Sequence, residues 1–144
     1  DAWLKVRPAG STTEVGWVFA GLVDFDTPEG LAPYTESLTY TAIKILNTIE
    51  DPVSGTVHWY VVAEKPPGLD PHLDFDGVRV FTWNTRLHRY ETAFRIRAIR
   101  GVYPLEASTD GTNPTFRFFE LDEDNSTKTP HNMVMKGVMV RPAK

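Results

Sequence analysis

The sequence predicts an all-β fold: an antiparallel meander of about eight strands that curls into a small barrel or sandwich. Three observations predict it. Apolar residues recur with a period near two rather than 3.6. Aromatic residues make up 12% of the chain and threonine is frequent, as half-buried pleated surfaces favour. Turn-forming Pro, Gly, Asn and Asp punctuate the apolar runs at short intervals, and short turns join antiparallel neighbours.

Taken in order, Trp3 to Arg7 alternates and Pro8-Ala9-Gly10 turns the chain. Val15 to Val23 is the next strand, closed by the loop from Asp24 to Gly30. A helical turn is expected around Pro28 to Thr35. Leu38 to Ile49 reads as a long strand, with Leu38, Tyr40 and Ala42 on one face and Ile43, Ile45 and Ile49 on the other. An amphipathic helix competes there, but threonine and isoleucine are stiff at χ1 and favour strand. Asp51-Pro52-Val53-Ser54-Gly55 is a turn, because Pro52 fixes φ and Gly55 relieves the exit.

Thr56 to Lys65 follows as a strand apolar on both faces around Trp59-Tyr60-Val61-Val62. Pro66 to Pro71 cannot be sheet interior, so 66–77 is a long loop and a candidate cleft edge. Gly77 to Asn84 and Tyr90 to Ala98 form a hairpin around the polar turn Thr85 to Arg89. In it Val78, Val80 and Thr82 share one face, Phe81 and Trp83 the other. Tyr90, Thr92, Phe94 and Ile96 share a face of the second strand. Asp110 to Pro114 is a turn, and Thr115 to Leu121 pairs with Met133 to Val140 across the loop Asp122 to Thr129.

Composition excludes several functions. The chain has 144 residues, 41% hydrophobic and 24% charged, which fits a folded domain rather than a disordered or fibrous chain. No apolar run approaches the roughly 18 residues of a spanning helix, so no membrane span is expected. The absence of cysteine removes disulfides, thiolate zinc sites and cysteine nucleophiles. A net charge of −4 argues against general nucleic-acid binding. No initiator Met, signal peptide or lipidation motif is visible, as in a mature secreted protein, a proteolytic remainder or a piece of a longer chain.

One stretch carries a family likeness. Trp3-Leu4-Lys5-Val6-Arg7, a short loop and Gly16-Trp17-Val18-Phe19-Ala20 follow one another. This resembles the closing strands of a bacterial Src-homology-3-type domain, over residues 2–23. The resemblance implies that residues 1–27 are a hairpin from such a barrel, with 28–144 a separate antiparallel β domain. The stretch from Val78 to Phe94 resembles a region that follows such modules in uncharacterised secreted bacterial proteins. The resemblance implies an extracellular or periplasmic place in the bacterial envelope, and binding to cell-wall peptides or glycans.

Candidate chemistry concentrates at the hairpin turn, where Trp83, Arg86, His88 and Arg89 cluster with Tyr90, and Arg95, Arg97 and Arg100 follow. Guanidinium forks pair with carboxylates or phosphates, and indoles stack on sugar or guanidinium planes. Trp83 is the indole expected to be partly exposed, while Trp59 is expected in the core. The competing reading of this turn is a solvated tip whose arginines pair with Glu91 and nearby acids.

Other constellations are weaker. Asp70 to Gly77 alternates oxygen ligands, but the calcium-loop template puts His72 first and Trp83 at the closing glutamate. The run Glu120 to Asp124 reads as a solvated turn. His58, His72, His88 and His131 lack metal-ligand spacing, and no serine sits in a nucleophile elbow. No phosphate-loop or dinucleotide fingerprint appears.

The expected function is therefore a non-catalytic binding or interaction module of the bacterial cell envelope, without cofactor or metal. Its ligand-binding residues would be Trp83, Arg86, His88 and Arg89, and its partner a cell-wall component or a protein. The alternatives are a hydrolase or transferase accessory domain bordered by the 66–77 loop, or a structural spacer. The unpaired edges of an isolated hairpin also make a homodimer an expected partner state.

Overall fold

The computed structural model describes residues 3–10, 12–19, 27–109 and 113–143. Among these described residues, ten strands form three antiparallel sheets. The first sheet is a hairpin of β1 (Trp3–Val6) and β2 (Gly16–Phe19). The second has the order β3-β4-β5-β6, from Thr39–Asp51, Gly55–Lys65, Gly77–Asn84 and Arg89–Ile96. The third has the order β10-β9-β8-β7, from Met139–Pro142, Lys128–Lys136, Pro114–Leu121 and Gly101–Thr109.

The two four-stranded sheets share one core. Leu46, Val61, Ala63, Val78 and Val80 meet Leu105, Phe116, Phe118, Met133 and Met135 there. At the margin the Tyr103 hydroxyl donates to Thr41 O (3.1 Å) and the Thr109 hydroxyl to Leu46 O (3.3 Å). These side-chain bonds tie β7 to β3 without a β ladder, so the barrel alternative is corrected: no closed barrel forms among the described residues.

The strand count is also corrected, from about eight to ten. Gly101–Thr109 is a strand that the expected meander did not include, and it contains Pro104. The chain accommodates that proline in a register gap between Val102 and Glu106. The span Met133 to Val140 is split by a turn at Gly137 (φ 60°), a left-handed geometry that glycine adopts without Cβ strain. The turn pairs Met139 with Lys136 and adds β10.

Two facial assignments change for a shared reason. A bulge at Thr41 puts Tyr40 and Ile43 on the outer face of the second sheet and Ala42 on the core face. Another at Ala93 leaves Tyr90 outside and turns Phe94 and Ile96 inward. One extra residue inverts the period-two alternation beyond it. The expected faces of β5 stand: Val78 and Val80 point to the core, Phe81 and Trp83 away.

The outer face of the second sheet carries its own apolar cluster. Tyr40, Val62, Phe81 and Tyr90 pack there under a 3-10 helix, Glu29–Tyr34, whose Leu31 is fully buried among them. This helix realises the helical turn expected around Pro28 to Thr35. Gly30 lies so close to Tyr90 that a Cβ would come within 2.8 Å of its ring. The 66–77 loop is present as a loop, and its Phe75 is buried and bridged to Gly101. Beyond Phe19, the expected strand to Val23 and the loop from Asp24 fall largely outside the described residues, as does most of the Asp110 to Pro114 turn.

Candidate functional site

The β5–β6 turn is built around two carboxyl or amide side chains. Asn84 Oδ1 accepts from the backbone N–H groups of Arg86 and Leu87, both at 2.9 Å. Its amide donates to Glu91 (3.0 Å). His88 takes a left-handed backbone (φ 53°), and its N–H donates to Asn84 O at 2.8 Å.

Asp51 reaches this turn from the end of β3. Its Oδ2 lies 3.0 Å from Trp83 Nε1, which donates to it, and 2.9 Å from His88 Nδ1. Burial alone would raise the Asp51 carboxyl. Hydrogen bonds from His88, Trp83, Ser54 and the Val53 backbone outweigh burial and bring it down to about 2. The Trp83 ring also meets Tyr90 edge to face at 4.9 Å. The Tyr90 hydroxyl donates to His58 O (2.9 Å), and burial pushes its pKa up to about 12.

The four residues singled out in the sequence therefore divide into two pairs. Trp83 and His88 are tied to Asp51. Arg86 and Arg89 are exposed, and Arg89 touches Glu91 only at 3.5 Å. The structure brings all four to one end of the sheet, but the indole is half-buried and its N–H is engaged.

A second charged constellation lies on the outer face of the same sheet. Arg79 and Arg95 stand directly opposite each other on β5 and β6. Like charges in that position repel, and carboxylates bracket them. Glu64, at the end of β4 and almost wholly buried, accepts from Arg95 Nε (3.2 Å) and Nη2 (3.3 Å) and lies 3.7 Å from Arg79 Nη1. Burial pushes the Glu64 carboxyl up, against the pull of both arginines.

Glu36, half-exposed, closes the constellation from the other side. Arg79 Nη1 donates to it at 3.3 Å and Arg95 Nη1 at 3.2 Å, with Arg97 at 3.8 Å. The bond and charge of Arg95 hold its carboxyl below the usual range. Arg79 is further fixed by Thr92 (2.9 Å) and Tyr34 O (3.0 Å), and its guanidinium covers the Phe81 ring at 4.5 Å. A groove of about 260 Å³ opens beside Arg95 and Arg97, floored by Glu64 and walled by Leu38 and Pro66. The 66–77 loop thus does border a cleft.

Sequence reading took in Arg95 and Arg97 but missed Arg79, Glu64 and Glu36. The signal was present: Arg79 interrupts the core-facing Val78 and Val80, and Glu64 follows directly on the apolar run from Trp59 to Ala63.

The histidines have local partners. His58 meets the Thr48 hydroxyl (2.9 Å), His72 meets Asp70 (3.0 Å), and His131 meets Glu120 (3.0 Å) while stacking on Phe118. Among the described residues no group of three or more His, Asp or Glu is placed to hold a metal ion. In the acidic turn, Asp122 accepts from Ser126 N–H, and backbone donors from Ser126 and Thr127 hold its carboxyl low. A larger depression of about 510 Å³ lies along β7 to β9, where the exposed Glu106 and Arg117 pair with each other.

The β1–β2 hairpin presents Trp3, Lys5, Trp17 and Phe19 on one face, with Trp3 opposite Phe19 and Lys5 opposite Trp17. Trp3 and Trp17 are 59% and 63% exposed, so these indoles are surface rather than core. No protein-family model, curated protein or solved structure matches this chain.

Proposed function

We propose that the protein is a non-catalytic binding module of the bacterial cell envelope, which recognises an anionic cell-wall component through the β5–β6 turn. The observation that carries this reading is the clasp of Asp51 on Trp83 and His88. It stiffens the turn from below and leaves Arg86, Leu87 and Arg89 projecting from a fixed backbone. A guanidinium pair on an ordered loop loses less entropy on binding than one on a floppy loop. Trp83 and His88 act in this reading as positioning residues, and the two arginines make the contact.

The sequence of residues 2–23, which resembles the closing strands of a bacterial Src-homology-3-type domain, is what suggests the envelope setting. Co-sedimentation with insoluble peptidoglycan tests the reading. Salt-sensitive binding by the parent protein, lost in Arg86→Ala/Arg89→Ala at equal thermal stability, supports it. No binding by either protein would refute it.

The exposed Trp3, Lys5, Trp17 and Phe19 face favours a second reading, in which a second copy of the chain is a partner. Large exposed aromatics on a two-stranded sheet gain most from being covered. Sedimentation velocity tests it. A concentration-dependent dimer that Trp3→Ser/Trp17→Ser abolishes supports the reading, and a monomer at all concentrations refutes it.

A further inference from the structure

The arginine constellation on the outer face has the form of an anion receptor that already holds an anion. Three guanidinium groups, from Arg79, Arg95 and Arg97, converge on the one half-exposed carboxylate of Glu36. The backbone delivering it is left-handed at two successive non-glycine residues, Glu36 (φ 54°) and Ser37 (φ 69°). Such geometry costs free energy and persists where surrounding contacts hold it.

The arginines do not depend on Glu36 for their orientation. Arg95 is gripped by Glu64 through two nitrogens, and Arg79 by Thr92 and Tyr34 O. Both side chains are largely buried, at 7% and 16% exposure, whereas that of Glu36 is 49% exposed. If Glu36 swung out, Nη1 of Arg79 and Nη1 of Arg95 would remain aimed at one point. The groove beside them, with Leu38, Pro66 and Gly77 in its walls, has room for the body of a small ligand.

We propose that this is a carboxylate-binding site occupied in cis by Glu36, and that it takes the carboxyl end of a peptide when Glu36 is displaced. Paired guanidinium groups match a planar carboxylate. Glu36 acts as an internal competitor, so the site's apparent affinity is lowered by the fraction of time Glu36 occupies it. The site is separate from the β5–β6 turn, and its fate does not depend on that of the turn.

The test is a titration of wild-type protein and Glu36→Ala with acetyl-alanyl-alanine and with its C-terminal amide, followed by amide NMR shifts. Glu36→Ala is expected to bind the free acid at least tenfold tighter than wild type, with shifts at residues 79, 95 and 97. The amide should not bind. Arg95→Lys in the Glu36→Ala background should weaken the acid at least tenfold, compared at a temperature where the amide spectra show both variants fully folded. Equal affinity of wild type and Glu36→Ala overturns the proposal, as does equal binding of acid and amide. Binding of inorganic phosphate without the peptide acid overturns the carboxylate assignment. Should Glu36→Ala not fold, Glu36→Gln replaces it, with the same expected order and the same overturning results.

Discussion

Leu31→Ala tests whether the 3-10 helix is a packed part of the fold or a loose strap. Leu31 is fully buried, among Tyr40, Val62, Phe81 and Tyr90, and is the only buried side chain of that helix. Leucine-to-alanine changes in cores cost about 2–5 kcal/mol, more where the wall cannot collapse into the space left. Here the wall is largely aromatic. Tyr34 and Tyr90 are hydrogen-bonded, and Tyr34, Tyr40, Tyr60, Phe81, Trp83 and Tyr90 contact one another ring to ring. Such a wall resists collapse, which places the loss at about 3–4 kcal/mol. For a domain of this size the melting temperature should fall by roughly 6–16 °C.

The loss has a second consequence. Tyr34 O, at the end of the helix, holds Arg79, and Glu36 follows two residues later. Loosening the helix should free Glu36 from the arginines, so amide exchange at residues 34–38 should quicken more than at β4. Urea unfolding monitored by tryptophan fluorescence reads the stability, and hydrogen exchange reads the local effect. A loss under about 1 kcal/mol would contradict the packing argument, since it is below the range for a filled core site.

Three other substitutions probe separate parts of the account. Gly101→Ala would set a Cβ 2.2 Å from the Phe75 ring, so overpacking should cost about 1–3 kcal/mol in a denaturant melt. Asp51 is lowered from 3.8 to about 2 in the folded protein, so its contribution is present above pH 3.8 and lost as pH falls towards about 2. The stability gap between wild type and Asp51→Asn should therefore close across that window, and a gap unchanged at its lower end would contradict the clasp. Breaking the exposed Glu106–Arg117 pair with Arg117→Ala should change stability by less than about 1 kcal/mol in the same melt.

Most strands were legible because period-two alternation and turn residues act locally. Val78, Val80, Phe81 and Trp83 declared their faces, and the 52–55 turn was set by Pro52 and Gly55. What escaped was non-local. The bulges at Thr41 and Ala93 follow from the need to pack both faces of one sheet, and no local residue signals them. Strand β7 contains Pro104, which a register gap tolerates.

The site was legible in part for the same reason. Arg86 and Arg89 stand in a polar turn that the sequence marks plainly. The link from Asp51 to Trp83 and His88 spans 32 and 37 residues and exists only once the sheet has formed. Arg79, Arg95, Glu64 and Glu36 likewise come from four segments, and only the folded sheet brings them together. Trp17 shares a hairpin face with Trp3, lies opposite Lys5 and faces solvent.

The most direct test of the central claim is an amide-shift map of the protein with soluble peptidoglycan fragments. The account predicts salt-sensitive shifts at Arg86, Leu87, His88 and Arg89, absent in Arg86→Ala/Arg89→Ala. Shifts confined to other surfaces, or none at saturating fragment, would contradict it.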